Sequence, residues 1–346
     1  MNKLILENFE ISETSPIFII AEIGINHNGN ISQAMKLTKN AIECGANCVK
    51  FQFYKTDEFL SNKDHLYEYE VKGLKKQESM YEMFKRFELK PEDYEKLFKY
   101  IRNKNCIPLA SAADPQSVKL LLKLGASAIK IASEDLINVR LLEYVSKINK
   151  PVLLSTGMAD KFELEHALSI LNKKELILMH CTSIYPAVPE ELNLKKITTL
   201  QGYNYITGYS DHSKGILASI AAVTLGAKVI EKHFTLNNND TGPDHSFSAK
   251  PKEFRQLVSC IREIEKSLGS EKLKPSPKEM ELRNSYRRSI VAARDIQINE
   301  IITEEMINFK RPGNGLKPYE KEKVLNKKVI RALNKDNMIT LQDIDN

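Results

Sequence analysis

Short runs of apolar, β-branched-rich residues alternate along the chain with longer stretches in which apolar positions recur at helical spacing. The runs fall at 17–21, 48–53, 106–110, 128–132, 152–155, 176–181, 205–209 and 228–234, which predicts eight strands. Helical spacing occupies 31–44, 114–124, 138–147, 161–171 and 215–225. Three of these stretches end alike, in Cys44-Gly45-Ala46, Leu124-Gly125-Ala126 and Leu225-Gly226-Ala227. A glycine just past a helix takes the left-handed conformation that closes it and leads into a buried strand. Near-continuous apolar strands need helices over their outer face, so strand-then-helix units repeated eight times predict an α/β fold, a (β/α)8 TIM barrel. A doubly wound open sheet is the runner-up, disfavoured because no G-x-G-x-x-G follows the first strand.

The pattern departs from a bare barrel twice. The segment 54–93 after the second strand is long, charged and aromatic, which suits a substrate-covering loop with its own helix; His65, within it, reads as a surface residue. At the other end, helical spacing over 252–268 gives way to Gly269-Ser-Glu-Lys-Leu-Lys-Pro-Ser-Pro277 and then to brief strand-and-turn texture. The expected division is a barrel domain 1–268, a linker 269–287 and a small, mostly-β domain 288–346. A domain of that size has a marginal core, which favours docking on the barrel or on a partner.

With 346 residues and 42% hydrophobic content, the chain accommodates one large domain and a small one. Its net charge of +6 is spread thinly, with no basic stripe for nucleic acid. The five cysteines (Cys44, Cys48, Cys106, Cys181, Cys260) include no C-x-x-C pair, which argues for reduced thiols rather than disulfides or structural zinc. No apolar run approaches a membrane span and no secretory leader is apparent, so a cytoplasmic protein is expected, with neither nucleic acid nor membrane as partner.

Polar residues recur where each strand ends, on the side where a barrel of this kind places its chemistry. The first strand leads to Glu22; the second carries Lys50 and Gln52 on one face; the third ends at Ser111; the fourth offers Lys130 and Ser133. The fifth runs into Ser155, the sixth into His180-Cys-Thr-Ser-Ile-Tyr-Pro186. On the last two strands, residues two apart share a face, so Ser210 goes with His212 and Glu231 with His233. Adjacent strands would bring both imidazoles together as a half-open metal site. Buried lysines call for an anion, and the hydroxyls of Ser111, Ser133, Ser183 and Ser210 can donate to phosphate or carboxylate oxygens. The set reads as a site for a small polyanion beside a cation, and imidazole ligands alone do not choose the ion.

Glu22-Ile-Gly-Ile-Asn-His-Asn-Gly29, Lys50-Phe-Gln52, Leu154-Ser-Thr-Gly-Met158, His180-Cys-Thr-Ser-Ile-Tyr-Pro186, Gly208-Tyr-Ser-Asp-His212, Val229-Ile-Glu-Lys-His-Phe234 and Gly242-Pro-Asp-His245 occur in that order. Together they resemble the sialic acid synthases, the phosphoenolpyruvate-dependent enzymes that make N-acetylneuraminate, legionaminate or pseudaminate. Lys310-Arg-Pro-Gly-Asn-Gly315 resembles their antifreeze-like (SAF) domain. The resemblance implies a transferase that condenses phosphoenolpyruvate with an open-chain N-acetylated hexose, either N-acetylmannosamine or a 2,4-diacetamido-trideoxyhexose. It implies that His212 and His233 hold a divalent metal, usually manganese, with magnesium or cobalt as alternatives. Lys50, Lys130, Ser133, Ser155 and Ser210 match positions around phosphoenolpyruvate, and Glu22 the acid near the reacting carbons. Gln52, Tyr185 and Asp244 match sugar-facing positions, Arg311 a residue that reaches into the partner's barrel in a domain-swapped homodimer, and Glu231 lies beside the metal.

Three departures from the family pattern stand out. Ala110-Ser-Ala-Ala-Asp114 replaces a Ser-Thr-Pro-Phe segment, with Ser111 in place of a threonine hydroxyl; Ser183 stands where some members have Asn; and Lys50-Phe-Gln52 replaces Lys-His-Gln. Competing readings are a pyruvate aldolase working through a Schiff base on Lys130, and a non-catalytic carbohydrate- or ice-binding protein.

Overall fold

The structure is a computed structural model that describes residues 3–345. Eight parallel strands close into a barrel in chain order: Phe18–Gly24, Cys48–Phe53, Ile107–Ala112, Ile129–Ile131, Val152–Ser155, Leu176–Cys181, Ile206–Asp211 and Val229–His233, the last hydrogen-bonded to the first. Helices follow as expected, among them Ile31–Glu43, Pro115–Lys123, Val139–Ser146, Lys161–Leu171, Leu217–Thr224 and Pro251–Leu268. The glycines past three of them, Gly45, Gly125 and Gly226, take positive φ, as a left-handed helix cap requires. No described helix is long and apolar enough to cross a membrane.

Alternation along each strand sorts the side chains. Ile19, Ala21 and Ile23, Val49, Phe51 and Phe53, Leu178, Tyr209 and Ile230 face outward into the core between strands and helices. Phe18 and Ile20, Cys48, Ile107 and Leu109, Leu153, Ile177 and Met179, and Val229 face inward and fill the lower barrel. The next inward positions up each strand are polar: Glu22, Lys50, Ser111, Lys130, Ser155, Ser210 and Glu231. The interior is therefore a plug of hydrocarbon with a polar layer on top, and the polar layer is where ligands enter.

An antiparallel hairpin, Lys3–Leu6 with Phe9–Ser12, caps the floor of that plug with Leu4, Leu6 and Ile11. The sequence reading did not anticipate it. The 54–93 excursion does contain the expected helix, Met80–Phe87, but also a second hairpin, Leu66–Val71 with Leu74–Ser79. Its two-residue turn puts Lys72 and Gly73 at positive φ, as a tight hairpin turn needs. Tyr69 from the hairpin and Met83 and Phe87 from the helix pack on Ile25 and Tyr54, forming a small apolar cluster. His65 is exposed, as expected.

A second compact unit begins at Ser270. The segment expected as a linker carries a helix, Pro277–Tyr286, because Ser276 and Glu279 form a reciprocal capping box and Pro277 opens the first turn. Strands Ser289–Ala292 and Ile307–Lys310 pair antiparallel over a core that includes Ile290, Ile302, Val324, Val329 and Ile339.

Candidate active site

Register builds the site. In a parallel pair, partnered residues face the same side, so Glu22 stands between Lys50 and His233, Ser111 between Gln52 and Lys130, and Ser210 between Cys181 and Glu231. The pocket they line opens to solvent.

Two lysines and two carboxylates form its floor. The Lys50 ammonium lies 3.0 Å from Glu22 Oε2 and 3.4 Å from Glu231 Oε1. Glu231 also accepts from Ser210 Oγ at 3.0 Å and lies 4.0 Å from Lys130, which donates to Ser155 Oγ at 2.6 Å. All four charged groups are buried. Burial pulls Lys50 down, but Glu22 and Glu231 outweigh it and hold its ammonium above the ordinary lysine range. Burial dominates at Lys130, whose pKa is lowered against the pull of Glu231, and at Glu22, whose carboxyl is pushed up despite Lys50. Glu231 goes the other way: burial would raise it, and Lys130 and Lys50 lower it. The floor therefore favours charge at Lys50 over Lys130 and at Glu231 over Glu22. The sequence reading placed Glu231 beside the imidazoles, and its carboxylate is also the hub of the lysine network.

The imidazoles meet beside this floor, their ring centres 5.4 Å apart and inclined at 67°. His212 Nδ1 lies 2.7 Å from the carbonyl oxygen of Thr182. A carbonyl only accepts, so Nδ1 donates to it; burial would lower the His212 pKa, but Cys181 beside the ring and the Thr182 carbonyl raise it. His233 Nδ1 is buried without a hydrogen-bond partner, 3.6 Å from Asp244 Oδ2. Burial and the neighbouring His212 hold His233 well below the usual range, as a neutral ring. An imidazole nitrogen that turns its lone pair to the pocket is a donor that a divalent transition cation takes. Among the described residues no cluster of three or more His, Cys, Asp or Glu side chains is spaced to hold a metal. Two protein ligands would leave the remaining positions to water and substrate oxygen, so the residues present fit the expected ion. The Tyr185 ring lies 4.2 Å from that of His212, tilted by 33°, and Phe247 approaches His233 at 5.0 Å.

Twelve of the residues singled out from sequence line one pocket: Glu22, Lys50, Gln52, Ser111, Lys130, Ser133, Ser155, Tyr185, Ser210, His212, Glu231 and His233. Two others flank it. Asp244 stands behind His233, and burial, with Glu22 nearby, raises its pKa to about 7. Ser183 Oγ lies 3.9 Å from Cys181 Sγ, beside Gly157, where a Cβ would fall 2.3 Å from that hydroxyl. Arg311 belongs to the second unit, exposed, its guanidinium 5.2 Å from the Tyr286 ring centre. The departure at 110–114 leaves Ser111 in the pocket, and Asp114 caps the next helix through the amides of Gln116 and Ser117.

The sequence reading missed Cys181, Asp135, Tyr54 and Phe84, which also line the pocket. Cys181 was legible, being two residues beyond Met179 on an inward face. Asp135 sits on a short turn after the fourth strand, and burial raises its pKa to about 6. Tyr54 and Phe84 meet there because the excursion folds back: the Tyr54 hydroxyl donates to the Phe84 carbonyl at 3.1 Å.

Ionisable groups gathered at the carboxyl ends of a closed parallel barrel define a TIM-barrel enzyme. The chain belongs to the NeuB family, which its residues 37–273 match, and residues 287–345 match the SAF domain. It is 40% identical to the N,N'-diacetyllegionaminic acid synthase of Campylobacter jejuni, over 93% of this chain and 98% of that one. It is 35% identical to a pseudaminic acid synthase of the same species, over 92% of this chain and 93% of the relative. Among solved structures, the N-acetylneuraminic acid synthetase of Leptospira borgpetersenii superimposes with a TM-score of 0.74 at 36% identity, covering 82% of this chain and 97% of that one.

Proposed function

We propose that this protein is a nonulosonate synthase: it condenses phosphoenolpyruvate with an open-chain N-acetylated hexose to give a nine-carbon 2-keto acid and phosphate. The observation that carries this reading is the pairing of two buried lysines, Lys50 and Lys130, with an imidazole pair in one pocket. Ammonium groups there serve a substrate with two anionic ends, and the imidazoles serve its electrophilic partner.

Lys50 and Lys130 hold the carboxylate and phosphate of phosphoenolpyruvate, with Ser111, Ser133, Ser155 and Ser210 donating to its oxygens. C3 of the enolpyruvyl group forms the new bond to the aldehyde carbon, whose oxygen gains a proton. Water adds at C2, the bond from C2 to the phosphate oxygen breaks, and the ketone remains. Glu22, pushed toward its protonated form by burial, is the group that moves a proton at the reacting carbons. A divalent ion, manganese first and magnesium or cobalt next, held by His212 and His233, supplies Lewis-acid polarisation of the aldehyde.

For the acceptor, we favour a 2,4-diacetamido-2,4,6-trideoxyhexose over N-acetylmannosamine. Tyr54, Phe84 and Ala113 give the outer pocket an apolar wall, which suits a second acetamido group and a C6 methyl better than free hydroxyls. The 40% identity to a diacetyllegionaminic acid synthase supports the same choice. Arg311 is read as the contribution of a second copy to the acceptor end, in a homodimer. Five free cysteines suit a reducing cytoplasm. The test is phosphate release from phosphoenolpyruvate across a panel of N-acetylated hexoses, with product mass. Turnover with the diacetamido sugar is expected to exceed turnover with N-acetylmannosamine. Preference for N-acetylmannosamine overturns the acceptor assignment, and no phosphate release with any sugar overturns the synthase reading.

A further inference from the structure

Directly behind the imidazole pair lies an ion pair that the chemistry does not use. Asp211 and Lys232 each precede one of the histidines, so alternation turns them outward, away from the pocket. They are register partners on the last two strands, both completely buried, with the Lys232 ammonium 3.1 Å from Asp211 Oδ2. The carboxylate is fully engaged: Oδ1 accepts from the Ser213 amide at 2.9 Å and its hydroxyl at 2.6 Å, and Oδ2 from Ser219 Oγ at 2.6 Å, on the following helix. The Tyr209 hydroxyl lies 3.4 Å from Oδ1, and the ammonium also donates to the Ser213 carbonyl.

A buried pair of this kind is a poor source of stability. Each ion gives up several kcal/mol of hydration, and apolar residues of the same volume are as stabilising or more so. What it does provide is geometry. One carboxylate ties together the strand that ends at His212, the turn just beyond it and the helix after that turn; the ammonium ties all of this to the strand that ends at His233. A slip of one residue between the strands would break the ammonium's bonds to Asp211 and Ser213 and turn one imidazole out of the pocket.

We propose that Asp211 and Lys232 are positioning residues that fix the spacing and inclination of His212 and His233 for a shared cation. This rests on the reading of the two histidines as metal ligands. The test uses full-length protein stripped of metal and titrated with Mn2+ by electron paramagnetic resonance and with Co2+ by its visible absorption. The variants are D211N/K232M, which removes both charges at nearly constant volume, and S219A, which removes one hydroxyl from the carboxylate. The double variant is expected to bind Mn2+ at least tenfold more weakly and to show an altered Co2+ spectrum at temperatures where its circular dichroism is native. S219A is expected to shift the affinity in the same direction by a smaller factor. Wild-type affinity and spectrum in a folded double variant overturn the proposal; should that variant not fold, unchanged affinity and spectrum in S219A overturn it. Wild-type protein that takes up neither ion defeats the metal reading itself, a separate result.

Discussion

Glu22 and His233 are register partners across the seam where the eighth strand closes onto the first. Barrel closure is thus what brings the Glu22 carboxyl beside an imidazole, and neither would have that neighbour in an open sheet. Lys50 holds the other side of Glu22 at 3.0 Å while keeping Glu231 at 3.4 Å. Replacing Glu22 by Gln preserves volume and leaves Lys50 a carboxylate partner. The expected result is a fall in kcat of about 10²–10⁴-fold with little change in KM for phosphoenolpyruvate. A raised KM with kcat intact would assign Glu22 to binding alone.

Removing metal should stop turnover without loosening the fold, because the imidazoles sit at strand ends above the hydrocarbon plug. Dialysis against a chelator is expected to abolish phosphate release, and Mn2+ to restore it. H212A is expected to keep native circular dichroism and to gain no activity from added Mn2+. Chelated protein that still turns over would count against the two-histidine site.

Most of the barrel was legible because each strand has a single inward face whose upper positions switch from apolar to polar. Phe18, Ile20 and Glu22 on one strand, and Val229, Glu231 and His233 on another, show the switch within five residues. The lysine–carboxylate hub was not legible. Periodicity places Lys50 and Glu231 on inward faces but says nothing of whether they pair with a ligand or with each other. The excursion was only half legible, since Lys72-Gly73 is a weaker hairpin signal than Asn-Gly. Tyr54 and Phe84 lie 30 residues apart, one on each side of that hairpin in the sequence.

The floor hairpin gives a prediction about stability separate from chemistry. Leu6 is buried against the lower barrel, on the opposite side of the plug from the pocket. L6A should cost about 2–5 kcal/mol in urea unfolding, the range for a large-to-small core change. KM for either substrate should stay at the wild-type value. An unchanged unfolding midpoint would show that the hairpin does not seal the core.

Lys130 offers a direct comparison with the Schiff-base alternative. Burial lowers its pKa, which suits a nucleophilic amine, but its nitrogen already donates to Ser155 Oγ at 2.6 Å, in a pocket shared with an imidazole pair. Treatment with pyruvate and borohydride is expected to leave no adduct on Lys130 by peptide mass and to leave activity intact. A reduced pyruvyl adduct there would favour the aldolase.

Two histidines away from the imidazole pair add to the pH dependence of the fold. His27 accepts from the Gly29 amide at 3.1 Å, and His245 meets Thr235 Oγ1 at 2.7 Å; both are buried. Burial lowers the first to about 3 and the second to about 4, from an ordinary 6.5. Between pH 6.5 and 4 each ring therefore binds a proton in the unfolded chain and not in the folded one, so its contribution to stability falls as the pH drops through that window. The raised carboxyls of Asp135 and Asp244 act in the opposite sense, so the histidine share is read by difference. Each histidine contributes a slope of at most about 1.4 kcal/mol per pH unit. In urea unfolding at pH 7.5, 6 and 5, H27Q should lose less of its midpoint on acidification than the wild type. Midpoints of the two that move in parallel over that range would mean that His27 is protonated as readily in the folded protein as in the unfolded chain.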